Sequence, residues 1–455
     1  MMPAAKMSKE QLKEKLDALQ CHFTWNLGVN SNNPQHHLQR LDVDIRHMAH
    51  QNRVALLGVQ AYLHQLNNQS KEALQSLQAA EEHNREEEQP ASTAGSLIIY
   101  GNYAWIHYLQ DSYQEAETCL ERVQQLCPTL LDVQLIPHIQ ALKGWSLVVI
   151  RARNGERARE CFELALMFEP ENRSLRAGLG MALYSSWKYS WQLDSASEAI
   201  SYLERIVDEQ PNNYRAKIYL AGLLGHVDKE KAIGLIRECV EESSDPEVLK
   251  QSVMLWIPWS TQQAVEIAQR ALQQDPGYHL LYQALAKSYK QHWIQAKQKD
   301  KGTILDAAIS HLQQIVQNHP DLEIIPVKLQ LAAFVGERDP AEEEEILREL
   351  EQTDTLSPRH RQALNRSWGM HFLYRRRSQD MAKAKFMDAY SIAEQTDERR
   401  DCGRRLRKMA QVYRDKGNAN AAKAIYSFLH EADQHLPGYC AVLTLDDGDH
   451  SYPTE

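Results

Sequence analysis

The sequence predicts an all-α protein built as a tetratricopeptide-repeat superhelical solenoid, and three observations lead to that prediction. A pattern typical of a helix pair recurs roughly nine or ten times along the chain, with the spacing of a unit of about 34 residues. Most of the 16 prolines fall between these units. No stretch alternates apolar and polar residues as a half-buried strand does. Since a single helix pair cannot bury its own apolar face, the units are expected to stack on one another.

The clearest unit spans residues 144–170. Its first helix places Trp145 and Val149 on one face, and Asn154-Gly155 ends that helix. The second helix carries a small, a large and a small residue at spacings of four and three, which lie on one helical face: Ala158, Phe162 and Ala165. The two alanines allow a neighbouring helix to approach closely, and Phe162 is predicted to fill the space between the helices.

The same second-helix pattern recurs on both sides of this unit. Apolar residues at relative positions 0, 4 and 7 are found in six further segments: Ala73, Leu77, Ala80; Ala116, Leu120, Val123; Ala199, Leu203, Ile206; Ala264, Ala268, Ala271; Ala308, Leu312, Ile315; and Ala382, Phe386, Ala389. One match of this kind occurs easily by chance, whereas a series at a regular period indicates a repeat architecture.

Four segments are predicted along the chain. Residues 1–50 are interpreted as N-terminal capping helices, and residues 51–340 as the superhelix with a central groove. A boundary is indicated either by the acidic stretch near residues 342–345 or by the turn at Ser357-Pro358, and residues 341–434 are interpreted as a C-terminal subdomain with a basic inner face. Residues 435–455 are expected to be an acidic, disordered tail.

Composition and motifs exclude several classes of function. No apolar run reaches the length of a membrane span and no signal-peptide core is present, so we expect a cytosolic protein without membrane association. The seven cysteines lack paired metal-ligand spacing and are expected to be free thiols. No phosphate-binding loop, zinc-protease motif or dinucleotide fingerprint occurs. The chain is therefore predicted to be no enzyme and to need no metal or cofactor.

The net charge of −10 argues against a general nucleic-acid binder, but basic residues are concentrated near the C-terminus. Residues 366–416 carry 14 Lys and Arg against 7 Asp and Glu. Positions flanking the packing residues of first helices are expected to line the inner side of the solenoid: Lys143, Arg151, Lys287, Lys290, Arg404, Arg407 and Arg414, with Trp105, Tyr108 and Tyr374 as interleaved aromatics. Such a groove suits single-stranded RNA or an acidic peptide. The runs at 375–377 and 404–408 are equally compatible with a solvated helix face.

Five short motifs in the first half of the chain are specific enough to indicate a family: Cys21-His-Phe-Thr-Trp25, Glu72-Ala-Leu74, Tyr100-Gly-Asn-Tyr-Ala-Trp105, Gly144-Trp145 and Glu156-Arg-Ala158. The first of them is expected on a first helix before the repeats. Together they resemble the interferon-induced proteins with tetratricopeptide repeats, most clearly over residues 12–211. The resemblance implies a cytosolic, interferon-induced, non-enzymatic antiviral effector with a central pocket. Some members of that family grip the 5′ end of foreign RNA, and others act through partner proteins and hetero-oligomers.

The resemblance also implies which positions hold the RNA 5′ phosphates in the end-binding members. Counted from the shared motifs, these positions are occupied here by Asp44, His50, Val149 and Ser185, and a later arginine position falls near Trp256-Ile257. An acid and neutral residues thus replace the cations that a triphosphate requires. Arg40, one turn before Asp44, would partly offset the acid. Trp145, placed beside the cap or first base by the resemblance, is also expected to be a core residue of its own repeat.

Two hypotheses of different class remain at this point. In the first, the protein binds viral single-stranded RNA in a basic groove, with little preference for the 5′ end, and restricts viral translation or replication. In the second, it is a protein scaffold that hetero-oligomerises with related tetratricopeptide proteins or binds translation or signalling factors.

Overall fold

A computed structural model describes residues 8–29, 34–47, 53–128, 133–150, 154–190, 193–225, 227–320, 324–353, 356–394 and 396–434. These residues form 22 α-helices and one 3₁₀ turn, Val133–Leu135, and no strand is found among them. The all-α prediction is confirmed. Within the described part of the chain, no helix is both long enough and apolar enough to cross a membrane.

The helices divide between two compact units, residues 1–255 and 256–455. The first unit contains thirteen helices within its described residues, the last ending at the boundary: α1 Lys9–Asp17, α2 Pro34–His47, α3 Arg53–Leu66, α4 Ser70–Asn84, α5 Ala91–Leu109, α6 Tyr113–Leu126, α7 Ile136–Ile150, α8 Gly155–Phe168, α9 Arg173–Ser190, α10 Leu193–Glu209, α11 Tyr214–Leu224, α12 Lys229–Glu242 and α13 Pro246–Trp256. The second has nine in the part described: α14 Thr261–Gln274, α15 His279–Gln295, α16 Lys301–Asn318, α17 Ile325–Val335, α18 Pro340–Glu351, α19 Pro358–Tyr374, α20 Gln379–Ser391, α21 Asp397–Asp415 and α22 Ala419–Gln434.

From α3 to α22 the described residues form twenty helices, the number that roughly nine or ten helix pairs require. Polar N-caps explain several of the helix starts, because a side-chain oxygen there accepts a hydrogen bond from a free backbone N–H of the first turn. Asp228 does this for α12, Ser260 for α14, Ser357 for α19 and Thr396 for α21. The boundaries of the four segments predicted from sequence remain predictions, and residues 435–455 lie outside the described residues.

Phe162 packs as the sequence predicted. Its side chain is fully buried, and its ring meets that of Trp145 edge-on at a centroid distance of 5.3 Å. A Cβ atom added at Gly144 on α7 would lie 2.9 Å from the Phe162 ring, and one at Gly178 on α9 would lie 2.5 Å from it. Glycines on the helices at either side therefore provide the space that this ring occupies. Phe386 and Gly369 repeat the arrangement in the second unit.

The Cys21–Trp25 motif forms a turn after α1 and is not helical, so the predicted helix is wrong at this place. Thr24 is the physical reason, because its hydroxyl donates to the carbonyls of Leu19 and Cys21 and accepts from the Cys21 N–H. Such local side-chain bonds compete with helical hydrogen bonding. Asn26, with φ of 49°, and Gly28, with φ of 71°, then complete the reversal of the chain.

This turn inserts into the first unit and contacts four helices. A Cβ atom at Gly58 of α3 would lie 2.2 Å from the His22 ring, and one at Gly101 of α5 would lie 3.1 Å from the Cys21 Cβ. Arg157 of α8 donates to the carbonyls of Trp25 and Asn26, at 2.5 and 2.7 Å. The motif is therefore a packing element of the N-terminal repeats.

His22 forms a fully buried polar network with Asn102 and Ser146. The Asn102 side-chain oxygen accepts from the His22 backbone N–H at 3.1 Å, and its Nδ2 donates to His22 Nδ1 at 2.8 Å. The ring proton therefore lies on Nε2, which donates to Ser146 Oγ at 3.0 Å, and Ser146 donates onward to the Leu142 carbonyl. Although the residues match a nucleophile–base–orienter set, the imidazole donates to the serine and cannot accept its proton. The arrangement is structural.

Acid is expected to destabilise the protein through His22. Burial lowers the pKa of this imidazole to about 4, from an ordinary value near 6.5. The unfolded chain therefore binds a proton at His22 that the folded chain excludes, so this contribution is fully present above pH 6.5 and is lost as the pH falls towards 4. From pH 7 to pH 5 the loss is about 2 kcal/mol. Chemical unfolding of the wild type and of His22→Gln at both pH values measures it, and equal pH dependence of the two proteins would contradict it.

Candidate nucleic-acid interface

Asp44, which occupies a predicted phosphate position, is held in a buried array of charges in the first unit. Arg215 of α11 donates from Nη1 to Asp44 Oδ1 and from Nε to Asp245 Oδ2, both at 2.6 Å. The side chain of Asp44 is 1% exposed and that of Arg215 is 10% exposed. Burial opposes the charged guanidinium, but the two carboxylates outweigh it and raise the pKa of Arg215. The array carries one cation and two anions, which is unfavourable for a phosphate.

Of the other positions that the resemblance implies, the two described ones, Val149 and Ser185, carry no cation. Val149 is buried on α7. Ser185 donates its hydroxyl proton to the Met181 carbonyl of its own helix, α9. The neighbouring Tyr184 is buried and stacks on Tyr219 with 4.5 Å between ring centroids. His50 and Arg151 lie outside the described residues. That the three described positions, Asp44, Val149 and Ser185, line a site without cations stays a prediction.

The remaining candidates of the first unit differ in how far they are buried and in what they contact. Arg40 donates from Nη2 to the carbonyls of Val149 and Ile150, at 2.7 and 3.0 Å, and so satisfies the C-terminal end of α7. Trp145 is 5% exposed and packs in its own repeat, as expected. Lys143 is half-buried near the Cys161 thiol. Trp105 is buried, and its indole N–H donates to the Leu16 carbonyl of α1.

A group of charged residues from three first helices comes together in the second unit around Asp401. Arg366 of α19 donates to Asp401 Oδ2 at 2.7 Å, and Arg405 of α21 donates to the same oxygen at 3.0 Å. Arg404 reaches Asp401 Oδ1 at 3.3 Å. Lys290 of α15 lies close enough to interact electrostatically with these groups. We call this set the Asp401 cluster: Lys290, Arg366, Glu398, Asp401, Arg404 and Arg405.

The Asp401 cluster is positively charged and partly shielded from water. Four cations face two carboxylates, which leaves two formal positive charges. Burial raises the pKa of Asp401, but Arg366 and Arg405 outweigh that effect and the pKa is lowered overall. The pKa of Lys290 is lowered, first by burial and then by Arg366. Arg366 and Arg405 therefore act on Asp401, and Arg366 on Lys290, as nearby positive charges do.

An exposed aromatic ring borders the cluster. Tyr374 is a large aromatic residue that is 56% exposed to solvent. Its hydroxyl oxygen accepts a hydrogen bond from Arg405 Nη1 at 3.1 Å, and the Arg405 guanidinium lies 5.9 Å from its ring centroid. A cationic site beside an accessible aromatic face is the combination that binds single-stranded nucleic acid.

The three arginines predicted on α21 do not lie together. Arg404, with 70% of its side chain exposed, belongs to the Asp401 cluster. Arg414 instead lies over the Tyr426 ring of α22, at 5.5 Å. Arg407 is exposed, with its charge near Tyr390 of α20. Lys287, one turn before Lys290, is half-buried on α15. Arg407 and Arg414 thus interact with α20 and α22 and not with Asp401, and their place on a shared inner face stays a prediction.

Arg366 and Arg405 were not among the predicted residues. The sequence contains a signal for Arg405. Asp401 lies four positions before Arg405 and three positions before Arg404, and both are spacings at which ion pairs form on a helix. Arg366 has no such signal, because its partner lies 35 residues away on another repeat.

Curated relatives match most of the chain. The human antiviral innate immune response effector IFIT1 is 29% identical over 339 residues, covering 70% of this chain and 71% of that protein. Human interferon-induced protein with tetratricopeptide repeats 2 is 24% identical over 450 residues and covers 94% of both chains. No family model matches the sequence.

Solved structures agree with this result. The human IFIT1 dimer with m7Gppp-AAAA superposes with a TM-score of 0.63 at 25% identity, covering 93% of this chain and 99% of that chain. The human IFIT1 dimer with PPP-AAAA gives a TM-score of 0.61 at 25% identity and covers 92% and 99%. The relatives bear the name that the sequence motifs indicated, and their structures share the fold. The comparisons therefore support the resemblance to the interferon-induced proteins with tetratricopeptide repeats, in sequence over most of the chain and in fold.

Proposed function

We propose that this chain is a non-catalytic antiviral effector of the interferon response that binds single-stranded RNA through the Asp401 cluster. The observation that carries the proposal is that Arg366 and Arg405, from two different helices, share one carboxylate, and that Lys290 from a third helix lies close enough to feel their charge. Asp401 pairs with Arg366 and Arg405, which ties α19 to α21, but Lys290 and Arg404 bring more positive charge to the cluster than its two carboxylates balance. The human relative IFIT1 has been solved with short capped and triphosphorylated RNAs, which supports RNA as the class of ligand.

The geometry suits a sugar–phosphate backbone. Asp401 holds the guanidinium groups of Arg366 and Arg405 in place before a ligand arrives, so little side-chain entropy is lost on binding. Arg404 is mostly exposed and can reach a phosphate directly. Tyr374 provides a stacking surface that accepts any base. We therefore expect binding that tolerates sequence and depends strongly on salt.

Little preference for the 5′ end is expected, because the Asp44–Arg215–Asp245 array contains more negative than positive charge. The affinities of one short RNA carrying a 5′-triphosphate or a 5′-hydroxyl should differ by less than about tenfold, which corresponds to about 1.4 kcal/mol. A larger preference for the triphosphate would contradict this reading of the array and would require another set of cations.

Removing two cations of the Asp401 cluster is expected to weaken RNA binding. The double variant Lys290→Gln, Arg404→Gln removes two positive charges from half-buried or exposed positions without unpairing Arg366. Each lost phosphate contact lowers the slope of log affinity against log salt by about 0.7 for a single strand. The slope should therefore fall by about 1.4. Fluorescence anisotropy with a 5′-hydroxyl oligonucleotide over a salt series measures it.

The matched control is the double variant Arg407→Gln, Arg414→Gln, which removes the same charge from α21 at positions outside the cluster. If both double variants reduce binding equally, the attraction is a general effect of charge and the cluster is not the site. Asp401→Asn is expected to increase affinity, because the amide oxygen can still accept from the arginines while the negative charge that competes with phosphate is gone. Absence of RNA binding by the wild type at low salt would favour the scaffold hypothesis, in which the ligand is a related tetratricopeptide protein or a translation or signalling factor.

A further inference from the structure

We propose that Ser378 is a phosphorylation site for a serine/threonine protein kinase that selects basic substrates. This goes beyond RNA binding and does not depend on it. The serine follows Arg375, Arg376 and Arg377, and it is the only serine or threonine of the sequence with arginine at both the second and the third preceding position. Protein kinases discriminate among substrates largely by such charge patterns. The arginine run is therefore read as a recognition sequence rather than as part of the RNA site.

The serine lies in the turn between α19 and α20, where a kinase can reach it. Its residue is half-buried, and its hydroxyl makes no capping hydrogen bond to α20. Within the described residues the Ser378 side chain has no hydrogen-bond partner. The hydroxyl is therefore available as an acceptor of a phosphoryl group, whereas many serines in this fold donate back to their own helices, as Ser146 and Ser185 do.

Access to a kinase requires the turn to open at the end of α19. The backbone hydrogen bonds there run from the Arg376 N–H to the His371 carbonyl at 3.2 Å and from the Ser378 N–H to the Phe372 carbonyl at 2.9 Å. Arg377 adopts a φ of 52°, in the left-handed region that residues other than glycine occupy at a cost. The helix end thus uses arginine where glycine is favoured. A short surface turn of this kind can extend locally into a kinase cleft without loss of the neighbouring helices.

The three arginines differ in how readily they can be offered to a kinase. Arg377 is exposed. Arg376 has 50% of its side chain exposed and pairs with Glu344. Arg375 is 22% exposed and pairs with Glu337 and with the buried Glu343. Exposed ion pairs contribute little to stability, so that of Arg376 exchanges easily for acidic groups on a kinase. Engagement of Arg375 requires the turn to open.

The reaction transfers the γ-phosphoryl group of ATP. The Ser378 oxygen forms a bond to the γ-phosphorus, the bond from that phosphorus to the bridging oxygen breaks, and ADP leaves. The hydroxyl proton passes to the catalytic carboxylate of the kinase. The product carries about 1.5 to 2 negative charges four residues after Tyr374, whose hydroxyl accepts from Arg405. If the proposed RNA function also holds, this charge is expected to weaken RNA binding.

The test is phosphorylation of the purified full-length protein by the cyclic-AMP-dependent kinase with labelled ATP and magnesium, with the modified residue mapped by mass spectrometry. We expect close to one phosphate per chain, located at Ser378 and absent from Ser378→Ala. The double variant Arg375→Gln, Arg376→Gln should be phosphorylated at a rate at least about tenfold lower than that of the wild type. Arg377→Gln is the matched control, since it changes the same run yet retains both recognition arginines, and its rate should stay near that of the wild type.

A synthetic peptide of residues 372–383 separates the motif from its accessibility. If the peptide is phosphorylated and the folded protein is not, the fold hides the serine and the proposal is overturned. It is equally overturned if Ser378→Ala incorporates as much phosphate as the wild type. Thermal unfolding of each variant checks that it is folded. RNA affinity is measured separately, on phosphorylated and on unmodified wild-type protein. Because phosphate incorporation is measured without RNA, its result stands even if the protein does not bind RNA.

Discussion

Arg215→Met is expected to destabilise the first unit by about 3–5 kcal/mol, the usual cost of removing one partner from a buried ion pair. The substitution preserves much of the side-chain volume but leaves Asp44 and Asp245 facing each other without their shared cation. Asp44 is almost completely buried and cannot recover hydration. Chemical unfolding followed by far-ultraviolet circular dichroism measures the change in the free energy of unfolding.

Two controls show whether the effect belongs to the buried charges. Arg205→Met removes an arginine that is 58% exposed and pairs with Glu209 at 3.6 Å, so it should change stability by less than about 0.5 kcal/mol. The triple variant Arg215→Met, Asp44→Asn, Asp245→Asn removes all three charges and should recover a large part of the lost stability. If the free energy of unfolding of Arg215→Met equals that of the wild type, the array does not stabilise the first unit and the prediction is wrong.

Phe162→Ala is expected to cost about 3–5 kcal/mol, because it empties a fully buried aromatic site. Gly144 and Gly178 have no side chains that could move into the space, and the neighbouring Trp145 ring would lose its edge-on contact. Since each repeat is stabilised mainly by its neighbours, the loss should affect the whole first unit rather than one helix pair. Thermal and chemical unfolding both report it.

The control for Phe162→Ala is Met167→Ala on the same helix. Met167 is 78% exposed, so its truncation should change the free energy of unfolding by less than about 0.5 kcal/mol. Comparable destabilisation by the two variants would show that α8 is sensitive to any truncation and that the glycine-lined site around Phe162 has no special weight.

The repeat architecture could be predicted from sequence because its signal is local. Small and large residues at helical spacing, such as Ala158, Phe162 and Ala165, select one face of a helix regardless of what lies beyond it. Recurrence of that pattern then predicts the stacking partners, since each pair needs a neighbour to bury its face. The burial of Trp145 and Phe162 follows from this local rule, and both were predicted correctly.

The conformation of the Cys21–Trp25 turn could not be predicted from the local sequence. The motif is compatible with a helix, but Thr24 hydrogen bonds to nearby backbone groups, and Gly58 and Gly101 leave a space shaped for His22 and Cys21. Those glycines lie on two different repeats. Their significance becomes visible only when α3 and α5 are packed together.

The sequence by itself determined the all-α repeat fold and its approximate number of units. Tertiary structure alone decided which charges meet. Asp44 is paired with Arg215 across 171 positions of the chain, and Arg366 with Asp401 across 35. The physical reason is that helical periodicity specifies which face a side chain occupies, whereas an electrostatic site depends on distances of a few ångströms between residues from separate repeats.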